Sequence, residues 1–150
     1  MTKVSKTFEL FGKTYTLESG ELAKQATGAV IVKQGDTTAL TTVVVSKERK
    51  NYDFFPLTVD VAEKMYAVGR IPGGYLKREG RPSDKATLMA RMIDRPIRPS
   101  FPDGFRNEVQ IVATTLVCDP ENPIDVICTM GASLAMTLGG VPFEGPLACV

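Results

Sequence analysis

Seven of the eight arginines in this 150-residue chain lie between Arg70 and Arg106, whereas eight of the ten lysines precede Arg70. Residues 70–106 carry nine basic and four acidic side chains, and residues 107–150 carry five acidic and no basic ones. The two blocks cancel, and the net charge of +1 comes from residues 1–69, with nine basic and eight acidic side chains. A guanidinium is a planar fork that meets a phosphate through two parallel hydrogen bonds, which an ammonium cannot do. Arginines gathered in one Gly/Pro-rich stretch therefore point to a phosphate-facing surface. The competing reading is a solvated basic loop balanced by the acidic final third.

Other chemistries are excluded by what the chain lacks. There is no histidine, so neither Ser-His nor Cys-His catalysis can be completed within it. Cys118, Cys128 and Cys149 form no CxxC pair, which leaves a zinc site without a ligand set. Asp53, Asp60 and Glu63 are the one tempting carboxylate cluster. Nothing in their spacing brings Asp53 beside the other two, so they read as solvated strand-end charges. No catalytic and no metal-binding residue is assigned.

The elements that must position the arginines follow from periodicity. Hydrophobic residues make up 43% and charged residues 23%, the balance of a folded globular domain. Residues 7–18 alternate around Gly12-Lys13 and predict a β-hairpin. Residues 28–33 and 37–46 flank Gly35-Asp36 and predict a second hairpin, its apolar runs suggesting strands covered on both faces. Residues 54–60 predict a strand in which Pro56 marks an edge, a start or a bulge. Residues 69–83, with four glycines and two prolines, predict an exposed, mobile loop. Ser83 then caps a helix whose stripe Leu88, Met89, Met92 and Ile93 is expected in the core, with Arg91 and Arg95 on one side and Pro96 as its end. Residues 109–117 predict a strand. The uncharged run around residues 126–141 is too short and too rich in small residues to span a bilayer, and residues 124–138 predict a buried helix ending at Gly139-Gly140. Residues 147–150 look like the opening of a further strand, which suggests that the chain is an N-terminal piece of something longer. The fold class is α+β, a mostly antiparallel sheet with helices packed on one face. The first residues lack a secretory apolar run, and with the cysteine usage this favours the cytoplasm and no membrane.

At Gly69-Arg70-Ile71-Pro72-Gly73-Gly74, Lys77-Arg78-Glu79-Gly80-Arg81-Pro82-Ser83 and Ile93-Asp94-Arg95-Pro96-Ile97-Arg98-Pro99 the sequence resembles the RNase PH superfamily. More closely it resembles the first core of the polynucleotide phosphorylase family. Residues 54–59 and Gly131-Ala132-Ser133 fit at the same order and spacing. The resemblance implies that residues 1–150 are the N-terminal portion of a first RNase PH-like core, in a homotrimeric ring that degrades mRNA from the 3′ end. Inorganic phosphate would be co-substrate, Mg2+ the metal, and other RNA-decay proteins possible partners. The family's RNA-gripping loop, two aromatics followed by two basic residues, corresponds to Tyr75, Leu76, Lys77 and Arg78; Leu76 departs from the pattern because it cannot stack on a base. Arg95 and Arg98 match two arginines that the family places near RNA. The family's phosphate site and metal ligands belong to a second core outside this chain. The alternatives are a non-catalytic ring subunit of an exosome-like assembly and a single-core RNase PH that trims tRNA.

Overall fold

The computed structural model describes residues 2–49 and 51–149. Six strands form one sheet in the order β1-β2-β3-β4-β6-β5, where β1 is Val4–Leu10, β2 Lys13–Ser19, β3 Gly28–Gln34, β4 Thr37–Arg49, β5 Leu57–Ala62 and β6 Asn107–Val117. Four neighbouring pairs are antiparallel and one, β5 with β6, is parallel. Helix α1 (Asp84–Ile97) makes the crossover that a parallel pair requires. Helix α2 (Ile124–Leu138) lies across β3 and β4. The α+β class is as the sequence implied.

Local chemistry sets the boundaries. The first hairpin turns at Phe11-Gly12, one residue earlier than expected, with both residues at positive φ (51° and 72°), the turn whose twist matches the flanking strands. In β4 the odd residues Thr37, Ala39, Thr41 and Val43 are buried, as are Val109, Ile111, Ala113 and Thr115 of β6. These rows meet Ile127, Cys128, Ala132, Ala135 and Met136 of α2 in one core. The small residues of α2 let it lie close to the sheet. A Cβ on Gly131 would sit 2.5 Å from Thr41 Oγ1, and one on Gly28 would overlap the Ala135 carbonyl.

Several expectations are corrected. The helices lie on one sheet face, as the fold class implied; on the other face Ile31 of β3 is buried, but β4 is not covered there, with Val44 46% exposed and Leu40 and Thr42 half-buried. The fifth strand begins after Pro56, at Leu57, so Phe54 and Phe55 precede it. Met89 and Ile93 of α1 are buried, but Leu88 and Met92 are 63% and 51% exposed, because α1 sits over the edge strand β5 and only one side of it is covered. Pro96 does not end α1. The Arg98 N–H bonds to the Asp94 carbonyl and carries the helix past it to Ile97. Residues 147–149 form no strand, since the Leu147 N–H is held by Ser133 Oγ at 2.7 Å over α2; Val150 lies outside the described residues. No helix is long and apolar enough to cross a membrane among the described residues.

Candidate nucleic-acid interface

The loop between β5 and α1 is built from the bottom up. After β5, a 3₁₀ turn (Met65–Val68) closes at Gly69, whose φ of 68° is left-handed and whose N–H bonds to the Tyr66 carbonyl. Two carboxylates then tie the loop's return to its start. Glu79 Oε1 accepts the Met65 N–H at 3.0 Å, and Glu63 Oε2 accepts the Ser83 hydroxyl at 2.6 Å. The same Ser83 Oγ caps α1 by accepting the Ala86 N–H. With its base fixed this way, the tip of residues 73–78 projects outward around a tight turn in which the Lys77 N–H meets the Gly74 carbonyl. Lys77 itself adopts a left-handed φ of 51°.

All four proposed gripping residues are on display. Tyr75 is 98% exposed and Leu76 73%, and Lys77 and Arg78 are exposed beside them. Among the described residues no carboxylate pairs with Lys77 or Arg78, so both charges face solvent. A bare phenol ring next to two free cations is what a single-stranded chain needs from a protein: a face for a base and charge for its phosphates.

Arg95 and Arg98 stand elsewhere. They lie in and just after the last turn of α1, and the tip precedes its first turn. At 1.5 Å per residue the twelve residues from Ser83 to Arg95 separate the two groups by about 18 Å. Arg91 and Arg95 are exposed one turn apart on the intervening helix. Arg98 is differently employed. Its Nε and Nη2 donate to the two Asp94 oxygens at 3.0 and 2.6 Å, and its Nη1 and Nη2 reach the Phe55 and Leu57 carbonyls, both at 3.2 Å. That leaves one N–H for an outside partner.

No group of three or more cysteine, aspartate or glutamate side chains is placed to hold a metal among the described residues. Glu63 is engaged with Ser83, and nothing brings Asp53 to it. The donor set does not fit Mg2+. Cys128 is not an activated thiol. Burial, reinforced by the charges of Asp125 and Cys118, pushes the Cys128 thiol up to about 12, while Cys118 and Cys149 are half-buried.

A six-stranded mixed sheet with both helices on one face and a cationic loop leading into the crossover helix is the RNase PH-type architecture. Residues 12–142 match the family described as "3' exoribonuclease family, domain 1", and the chain belongs to it. It is 56% identical over 140 residues to the polyribonucleotide nucleotidyltransferases of Bacillus cereus (strain AH187) and Bacillus anthracis (strain CDC 684 / NRRL 3495). These matches cover 93% of the chain but 20% of each relative, so the chain spans about a fifth of their length. Among solved structures it is similar to a chain of the Archaeoglobus fulgidus exosome with RNA bound to the active site, with a TM-score of 0.59 and 16% identity over 90% of this chain and 50% of that one. Rice (Oryza sativa) Rrp46 matches with a TM-score of 0.58 and 14% identity, over 95% of this chain and 58% of that one. At such identities the likeness is one of fold.

Proposed function

We propose that this chain is the N-terminal portion of the first core of a phosphate-dependent 3′-to-5′ exoribonuclease, and that it grips the single-stranded RNA substrate. The observation that carries the reading is the anchored loop whose tip displays Tyr75, Leu76, Lys77 and Arg78 to solvent. Arg95 extends the cationic track along α1, and Arg98 contributes its remaining N–H while orienting the helix end. The 56% identity to polyribonucleotide nucleotidyltransferases, against 14–17% to the solved exosome and Rrp46 chains, favours this over a ring subunit without activity. In the whole enzyme RNA and inorganic phosphate yield nucleoside diphosphates. Mg2+ would supply charge stabilisation at the transferring phosphorus, with ligands outside this chain. Assembly as a homotrimer in the cytoplasm, with possible RNA-decay partners, belongs to the same reading.

This chain's part in the reaction is binding and orientation. Stacking on Tyr75 holds a base, and Lys77 and Arg78 release counterions from the phosphates they meet. The test is RNA affinity as a function of salt in the complete enzyme. Alanine at Lys77, Arg78, Arg95 or Arg98 is expected to weaken binding and lower the log–log salt slope by about 0.7 per lost contact on a single strand. A quadruple variant that binds as tightly as wild type at every salt concentration overturns the assignment.

A further inference from the structure

Behind the base of the loop lies a cavity of about 510 Å³, within the range of small-molecule sites. Its place in the fold is informative. β5 and β6 run parallel, and the cavity sits at their carboxyl ends, lined by Ala62 and Glu63 from the end of one and Thr115 and Cys118 from the end of the other. In sheets with parallel strands this is where ligands bind, because the helices that follow the strands begin there. Both helices do so here: Ser83 and Ala86 of the α1 N-terminus and Ile124, the first residue of α2, are in the wall. No side chain caps α2, so its first N–H groups remain free to donate, although Asp125 brings a carboxylate into the same turn.

One atom in that wall is out of place in a finished core. Thr115 is 3% exposed, and its hydroxyl has no hydrogen-bond partner. A buried hydroxyl that has given up water without gaining a partner is destabilising, so it calls for one. The remaining lining divides into two kinds. Arg81 and Lys64 join the helix ends as cationic elements, and Asp60, Glu63 and Glu79 bring carboxylates. A simple multivalent anion suits the first set and is repelled by the second. A ligand with a phosphate at one end and hydroxyl or amino donors at the other suits both, and the apolar wall from Val61, Met65 and Pro82 suits a flat ring.

We propose that this cavity is a binding site for a ribonucleoside phosphate, either free or as one unit of an RNA chain. The phosphate lies toward Arg81 and the helix N-termini, the ribose and base donors toward the carboxylates, and Thr115 Oγ1 gains its missing partner. The site stands apart from the loop tip, and a free nucleotide would fill it whether or not Tyr75 and its neighbours grip RNA.

Cys118, half-buried in the cavity wall, gives a local readout that other nucleotide sites in a longer chain do not disturb. Cys149, also half-buried but in a separate groove against Phe11 and Met130, is the internal control. In the complete natural protein, the maleimide labelling rate of each thiol is followed by peptide mass spectrometry with AMP, ADP, a short RNA oligonucleotide or inorganic phosphate present. A nucleotide at ten times its Kd is expected to slow labelling of Cys118 about tenfold and leave Cys149 unchanged. Protection by AMP or ADP identifies a free nucleotide as occupant, and protection by RNA alone identifies a unit of the chain; either supports the proposal. Thr115→Val and Arg81→Met should each reduce the protection, with unchanged Cys149 labelling reporting an intact fold. Protection by phosphate as strong as by AMP, no protection by any of the four at millimolar concentration, or full protection in the double variant overturns it. Failure of the RNA reading shows separately, as unchanged RNA affinity in the loop variants.

Discussion

Arg98 holds both carboxylate oxygens of Asp94, one turn back along α1, and passes its remaining reach to the carbonyls of Phe55 and Leu57. The guanidinium thereby locks the end of α1 to the entry of the edge strand β5, and its charge is largely answered from within. Arg98→Ala is expected to destabilise the fold by about 1–2 kcal/mol, with Arg98→Lys recovering little because an ammonium cannot reproduce the fork. Its effect on RNA affinity should be smaller than that of Lys77→Ala or Arg78→Ala. Denaturant midpoints and RNA titrations on the same variants measure both.

The loop tip makes a second prediction. Leu76 occupies a position where the family pattern has an aromatic, and it is exposed. Leu76→Phe adds a second ring beside Tyr75 without touching the core. A stacked base is worth about 1–3 kcal/mol, so RNA affinity should rise roughly fivefold or more while the salt slope stays as it was. Tyr75→Ala should lose a similar amount, again with no change in slope. A changed slope would mean that the substitution had altered phosphate contacts instead.

The sequence made the β3–β4 hairpin legible because two apolar, β-branched runs flank Gly35-Asp36 there. It also made the start of α1 legible, since Ser83 is a cap by chemistry alone. The parallel pairing of β5 with β6 was not legible: alternation in residues 57–62 is the same whichever neighbour the strand takes. The exposure of Leu88 and Met92 was hidden for a related reason. An apolar stripe says that a helix has a face, not how wide a surface it meets, and an edge strand offers a narrow one. The display of Tyr75, Lys77 and Arg78 was readable from glycine and proline content. Of the contacts of Arg98, the pair with Asp94 one turn back is within reach of the sequence, but the Phe55 and Leu57 carbonyls are not, because they lie about forty residues away. Thr115 gave no signal, being one threonine in a regular strand pattern.

Packing under α2 gives a pair of opposite predictions at one contact. Thr41 Oγ1 is buried without a partner, directly beneath Gly131. Thr41→Val replaces the orphan hydroxyl with a methyl group of the same shape and is expected to stabilise by about 1 kcal/mol. Gly131→Ala places a methyl group 2.5 Å from that oxygen and 3.4 Å from Val32, which should cost about 1–3 kcal/mol through displacement of α2, despite alanine's better helix propensity. Thermal midpoints of the two single variants should move in opposite directions. In the double variant they should fail to add, since the two sites touch.

The last prediction concerns Cys128, whose thiol is raised to about 12 by burial in the core, with the charges of Asp125 and Cys118 adding to the shift. In the unfolded chain a cysteine titrates near about 8.5. Below that pH both states hold the proton and the thiol contributes nothing to pH dependence. Above it the unfolded state releases the proton while the folded state keeps it. The unfolded state then binds fewer protons, and stability must fall with rising pH by at most about 1.4 kcal/mol per unit until the folded thiol ionises. Cys128→Ala removes this component. It starts lower because of the cavity it leaves, but its stability should decline less steeply between about pH 9 and 12 than that of wild type. Urea midpoints measured at half-unit pH intervals give the two slopes. Equal slopes would mean that the core opens to let Cys128 ionise, which rapid maleimide labelling of Cys128 at pH 9 under native conditions would reveal independently.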